Sequence, residues 1–132
     1  MDGYTHKNLR EVEDSAPKFG HSPALEARFA ADELGTGETG VSFQRLAPGE
    51  RMPFGHHHGE QEEVYVVVEG AGRARLDDEV VDVRRWDALR VSPEVTRAFE
   101  AGDDGLTWLA IGAPRNMADA EVVPEFWSDA ND

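Results

Sequence analysis

The chain has 132 residues with 13 Lys and Arg against 27 Asp and Glu, a net charge of −14, and such a surface repels nucleic-acid phosphates and anionic membranes alike. Cysteine is absent, which excludes disulfides and thiolate chemistry, and no apolar run approaches the ~20 residues of a membrane-spanning helix. The length supports a single domain over 1–132 with one core, and the N-terminus lacks the basic-then-apolar layout of a signal peptide, so a cytoplasmic protein is expected.

Residues 1–24 are polar and broken by Pro17, Gly20 and Pro23, the composition of an irregular arm. Leu25 to Ala30 alternates apolar and charged residues and reads as a half-buried strand. Glu33 to Gly40 is a loop on its glycine content. Val41 to Leu46 alternates again, and Pro48-Gly49 marks a turn. Val64 to Glu69 is a β-branched run, followed by an expected turn at Gly70-Ala71-Gly72. Arg73–Leu76 and Glu79–Val83 flank Asp77-Asp78 as a hairpin. Ala88–Val91, Arg97–Glu100 and Leu106–Ile111 supply three more strands, with a turn expected at Gly102–Gly105 between the last two. In the tail, Ala118 to Val122 reads as one helical turn, and Phe126 and Trp127 read as apolar plugs at the end of the fold. Short strands at regular spacing, without a helical period, argue for an all-β barrel or sandwich.

Two features of this layout bear on partners. Val64, Val66 and Val68 share one strand face, and Glu63, Tyr65 and Val67 share the other. Both faces are largely apolar, so both need cover, and a homodimer is expected. Between Arg73 and Arg97 six arginines meet six acids, a neutral segment in an acidic protein. Cross-strand ion pairing explains that balance. The alternative is that some of these arginines line a site for an anionic ligand.

The segment Gly55-His56-His57-His58-Gly59-Glu60-Gln61-Glu62-Glu63 carries the chemistry. Imidazole and carboxylate are ligands of borderline divalent metals. On an extended strand His56 and His58 point to one side, with Cα atoms ~6.8 Å apart, and His57 points away to the surface. If the next strand pairs antiparallel with the histidine strand, Glu63 returns to the same side. The trio His56, His58 and Glu63 then forms a two-histidine, one-carboxylate set with positions left open for water or substrate. Glu60 and Glu62 read as solvated acids. Tyr65 and Trp86 are aromatics of a strand protein, placed to line a cavity or fill the core.

The segment resembles the first motif of the cupin family of small β-barrels: two histidines two apart, a glutamate after a four-residue gap, and a glycine after a six-residue gap, matched here by His56, His58, Glu63 and Gly70. The second motif is matched along Trp86–Phe99 only in its strand pattern. Trp86 stands at its first glycine, Ser92 at its proline, Glu94 at its second glycine, Arg97 at its metal-binding histidine and Ala101 at its asparagine. The resemblance spans about residues 40–112. It implies an all-β, double-stranded β-helix (jelly-roll) barrel with its core at about 25–112, an irregular N-terminal arm and a short C-terminal tail.

The resemblance implies a divalent metal (Fe, Mn, Ni or Zn) on His56, His58 and Glu63, with no organic cofactor. Guanidinium cannot ligate a metal, so Arg97 has two expected roles. It swings away or pairs with Glu63 and leaves a three-ligand metal with open positions, or it replaces the metal and grips a carboxylate or phosphate itself. Arg97 and Tyr65 are the candidate ligand-binding residues, and Arg97 and Glu63 the candidate catalytic ones. Whether the chain is an enzyme stays open. The first alternative is a metal-dependent oxygenase or isomerase acting on a small organic acid. The second is a metal-free binding or sensing module for a small anion. A storage role suits neither the length nor the single motif.

Overall fold

The computed structural model describes residues 3–129. Among them are eight strands: β1 Leu25–Phe29, β2 Gly40–Leu46, β3 Phe54–His58, β4 Glu62–Leu76, β5 Glu79–Arg84, β6 Ala88–Val91, β7 Arg97–Ala113 and β8 Ala120–Pro124. A single helical turn, Ala31–Leu34, links β1 to β2.

The two long strands organise the fold. β4 pairs antiparallel with β7 from Glu62↔Ala113 to Leu76↔Arg97, with register shifts between Val67 and Glu69 and between Gly70 and Gly72. Gly70 pairs Leu106 and Gly72 pairs Ala101, so Ala71 stands opposite the whole segment 102–105. Both glycine-rich stretches expected as turns are therefore corners within continuous strands. Turns and bulges demand the same left-handed glycines, so local sequence does not separate them. Gly70 has φ 80°, and a Cβ there would collide with the Gly105 carbonyl.

Bent in this way, the β4–β7 ribbon contributes one half to each of two layers. The first layer holds β8, β3, the start of β7, the end of β4, and β5. The second holds β1, β2, the end of β7, the start of β4, and β6. This is the jelly roll expected. Tyr65, Phe99 and Trp108 fill the space between the layers, with ring centroids 5.1 Å apart for Tyr65–Phe99 and 4.5 Å for Phe99–Trp108. Phe126 and Trp127 are buried and close one end, as expected. The guanidinium of Arg75 lies 4.1 Å from the centre of the Phe126 ring.

Two tail and turn expectations are corrected. Ala118–Val122 is not a helical turn: a 3-10 turn at Met117–Asp119 leads into β8, which pairs with β3 from Phe54↔Pro124 to His58↔Ala120. The available edge of β3 decides the conformation of a segment that is locally ambiguous. Trp86 is neither core nor cavity lining. It is 66% exposed, with φ 75°, at the position where the cupin motif has glycine.

The N-terminal arm lies along β1 and β2. Asp14 Oδ1 accepts from the backbone N–H groups of Ala16 and Ala27. Arg10 sits 5.0 Å over the Phe43 ring. Beneath it, buried Glu26 is held by Arg28 at 2.6 Å, Arg45 at 3.1 Å and Arg10 at 3.4 Å. Burial pushes the Glu26 carboxyl upward, but the three guanidinium groups outweigh it and hold it below the usual range.

Two outcomes follow from this architecture. Gly70→Ala forces a Cβ into a left-handed corner that has no room for it, and should cost about 2 kcal/mol or more; a urea midpoint unchanged from wild type refutes the corner. Because the folded-state pKa of Glu26 is depressed, its stabilisation is complete above the unfolded value of about 4.3 and fades as pH falls through the lower folded value. Urea titrations at descending pH should therefore show a shallower acid loss for Glu26→Gln than for wild type, and identical slopes would contradict the pairing.

Candidate metal centre

His56 and His58 lie on β3, and His57 between them points the other way, its Nε2 3.0 Å from Glu121. The strand parity expected from the sequence therefore holds. Glu63 arrives by a different route from the one expected. β3 does not pair with β4; its neighbours are β7 and β8. The short link 59–61 crosses from the first layer to the second, and Glu63 faces the histidines across the barrel. A link between packed sheets and a hairpin look alike when both are short and polar.

One ligand atom from each of His56, His58 and Glu63 lies within 4.8 Å of the others, a group able to hold a metal ion. Glu63 Oε1 is 3.3 Å from His56 Nε2, 3.2 Å from His58 Nε2, 2.7 Å from the Tyr65 hydroxyl and 3.4 Å from Arg97 Nη2. Four donors crowd one oxygen, more than its two lone pairs serve at once. Both Nε2 atoms converge on that oxygen, the geometry of imidazoles that can surrender their protons to a shared cation. The residues thus fit a divalent ion, with Nε2 of each histidine and the Glu63 carboxylate as its protein ligands.

Arg97 is 1% exposed and lies beside His56 in the register of β3 and β7. Its Nε donates to the Tyr65 hydroxyl at 3.0 Å, and its Nη1 donates to the carbonyls of Val95 at 2.9 Å and Pro93 at 3.3 Å. Its Nη2 faces Glu63 and has no hydrogen-bond partner. Arg97 and Glu63 thus form a buried ion pair. The Tyr65 hydroxyl accepts from Arg97 and donates to Glu63, so it links the pair. Glu60 and Glu62 are exposed, as expected.

These contacts set the charges. Burial pushes the Glu63 carboxyl up, but hydrogen bonds from His56, His58 and Tyr65 outweigh it and hold it far below the usual range. Burial and the neighbouring Glu63 charge push the Tyr65 hydroxyl well above its ordinary value, so it stays protonated. For His58, burial lowers the pKa, but the carboxylates of Glu63 and Asp119 outweigh it and raise it.

Asp119 is the residue that sequence reading missed. Its Oδ1 is 2.7 Å from His58 Nδ1, and its Oδ2 accepts from the N–H groups of Glu60 at 2.8 Å and Gln61 at 3.1 Å. Gln61, also buried, places its side-chain amide 3.3 Å from the same His58 nitrogen. Asp119 lies sixty-one positions from His58, and only the pairing of β8 with β3 joins them.

The cupin domain family matches residues 42–112, more than half of the sequence. The chain belongs to the cupin family. Among curated proteins none matches it. Solved structures similar to it include a cupin protein from Bacteroides fragilis, 24% identical, with a TM-score of 0.71 and 89% of each chain covered. Another is the polyketide cyclase RemF from Streptomyces resistomycificus, 16% identical, with a TM-score of 0.73 over 95% of this chain and 87% of that one. Oxalate decarboxylase from Bacillus subtilis is 19% identical, with a TM-score of 0.71, and 91% of this cupin covers 33% of that longer chain. At these identities the likeness establishes the fold. Cupins commonly bind divalent metals, in keeping with the His56, His58 and Glu63 group. No helix among the described residues is long and apolar enough to cross a membrane.

Proposed function

We propose that this cupin holds one divalent ion (Fe, Mn, Ni or Zn) on His56, His58 and Glu63, and binds a small organic acid beside it. The observation that carries this reading is the convergence of both Nε2 atoms on one carboxylate oxygen. Charge supports the anionic ligand. Buried Arg97 and a divalent ion face only the Glu63 and Asp119 carboxylates within hydrogen-bonded reach of the cluster. One positive charge is left unmatched, and a monoanion would neutralise it. The unpartnered Nη2 of Arg97 supplies a donor for it.

The side-chain roles follow from position. A bound ion would supply Lewis acidity at a ligand carboxyl or carbonyl oxygen. Arg97 would orient the acid, and Tyr65 would keep Arg97 aimed, its own proton held on the Glu63 side. His56, with a 21% exposed side chain, is the most accessible member of the cluster, so a ligand would enter on its side. The Tyr65, Phe99 and Trp108 rings fill the volume behind and favour a small molecule. An oxygenase or isomerase reaction suits such a site. The second reading, a metal-free module that senses a small anion, is favoured by Arg97 standing where the motif has its metal-binding histidine.

Metal content of protein purified without a histidine tag tests the first reading. About one equivalent is expected, falling below about a tenth in the double variant His56→Ala, His58→Ala; a wild type at that lower level after reconstitution with Fe, Mn, Ni and Zn abolishes it. Thermal shifts with a panel of small carboxylic acids should be several degrees for wild type and absent in Arg97→Gln. A stabilising acid that the metal-free protein binds equally well would move the assignment to the sensing module.

We also infer that the chain self-associates through the outer face of its second layer. Val64 and Val66 lie opposite Ile111 and Leu109 in the register, and together they form an apolar stripe, half-buried at Val64, Val66 and Leu109 and exposed at Ile111. Sedimentation should give about twice the 14.6 kDa chain mass, and Val66→Glu should give the monomer. A wild-type monomer at ~50 μM excludes this interface.

A further inference from the structure

We propose that Asp119 is a positioning residue for the metal ligand His58, supplied by the C-terminal segment that follows the family-matched core. The inference rests on the metal reading of His56, His58 and Glu63. A carboxylate accepts and does not donate. The 2.7 Å contact between Asp119 Oδ1 and His58 Nδ1 therefore places the ring proton on Nδ1. With that proton held on Nδ1, Nε2 is the nitrogen that gives up its hydrogen to a bound ion. Carboxylate–histidine pairs of this kind fix the tautomer and orientation of a ligand and raise its basicity.

The other oxygen of Asp119 does a second job. It receives the N–H groups of Glu60 and Gln61, and the Asp119 carbonyl receives that of Gly59 at 3.2 Å. These three residues form the link between the layers, with His58 at one end and the strand of Glu63 beginning at the other. One side chain therefore sets the ring of one ligand and the chain path to another. Its own side chain is only 12% exposed, so water competes weakly for these bonds. Residue 119 lies beyond 42–112, the span of the cupin match, so this support comes from a segment that the family core does not include.

The test compares Asp119→Asn and Asp119→Ala with Glu121→Ala, which removes a carboxylate two positions on, in β8, one that touches His57 and not His58. Three quantities are read: zinc affinity by chelator competition, ring-nitrogen NMR signals of His58 in the metal-free protein at about pH 9, and amide hydrogen exchange along β8. Both Asp119 variants should bind zinc roughly ten- to a hundredfold more weakly and lose the Nδ1–H pattern of His58, with β8 protection retained in Asp119→Asn. Glu121→Ala should match wild type in zinc affinity and in the His58 signals. The proposal is overturned if the His58 signals stay unchanged in both Asp119 variants, whether zinc affinity holds or falls only in step with lost β8 protection. If wild type takes up neither zinc nor Fe, Mn or Ni, the metal reading fails on its own account. A tautomer change in Asp119→Asn would then still support the positioning role, and its absence would refute it.

Discussion

The buried carboxylate of Glu63 is the group on which the rest of the site depends. It extends from the second layer, and its contacts with His56, His58 and Arg97 all reach into the first. Removing one member of a buried ion pair leaves the other uncompensated, at a cost of about 3–5 kcal/mol. Arg97, at 1% exposure, has no water to turn to. The same carboxylate therefore neutralises a core cation and offers a metal its only anionic ligand among the convergent three. Structural and chemical roles are joined in one oxygen.

The corner of the long ribbon makes that meeting possible. Glu63 and Arg97 pair with opposite ends of the β4–β7 ladder, at Gly112 and Leu76 respectively. On a flat ribbon of that length they would be tens of ångströms apart. The bend at Gly70, Gly72 and 102–105 folds the ladder over itself and brings them to 3.4 Å. The motif glycine seven residues beyond Glu63 is thus part of the site's geometry, because it lets two strand ends face each other.

Much of this was legible in the sequence, and the gaps have physical causes. Strand alternation indicated the barrel, and the spacing of His56, His58, Glu63 and Gly70 indicated the family and the convergence of the three side chains. Glycine runs signalled a change of direction but not whether the ladder continued through it. Arginines of the neutral segment do pair across strands, but with acids outside it: Arg73 faces Glu100 across β4 and β7, and Arg90 reaches Glu62. Arg97 is the member of that group that enters the site. Trp86 misled because aromatic residues usually lie inside; here the left-handed turn fixes its direction outward, and its ring meets only Arg85 at 5.0 Å among the cation contacts. Asp119 had no local signature, since a strand and a helical turn were equally compatible with its surroundings.

That last omission concerns the mounting of the histidines themselves. β3 meets β7 at a single pair, His56↔Arg97, but meets β8 along all five of its residues. The strand carrying two of the three candidate ligands is therefore held chiefly by the chain's C-terminal strand, and Phe126 of the following turn packs directly against Gly55, where a side chain would collide with its ring. This outer support lies beyond residues 42–112, the span that the cupin domain matches. In this cupin the support adds a carboxylate to the back of one imidazole, so the order of the tail and the donor strength of the site are set by the same contacts.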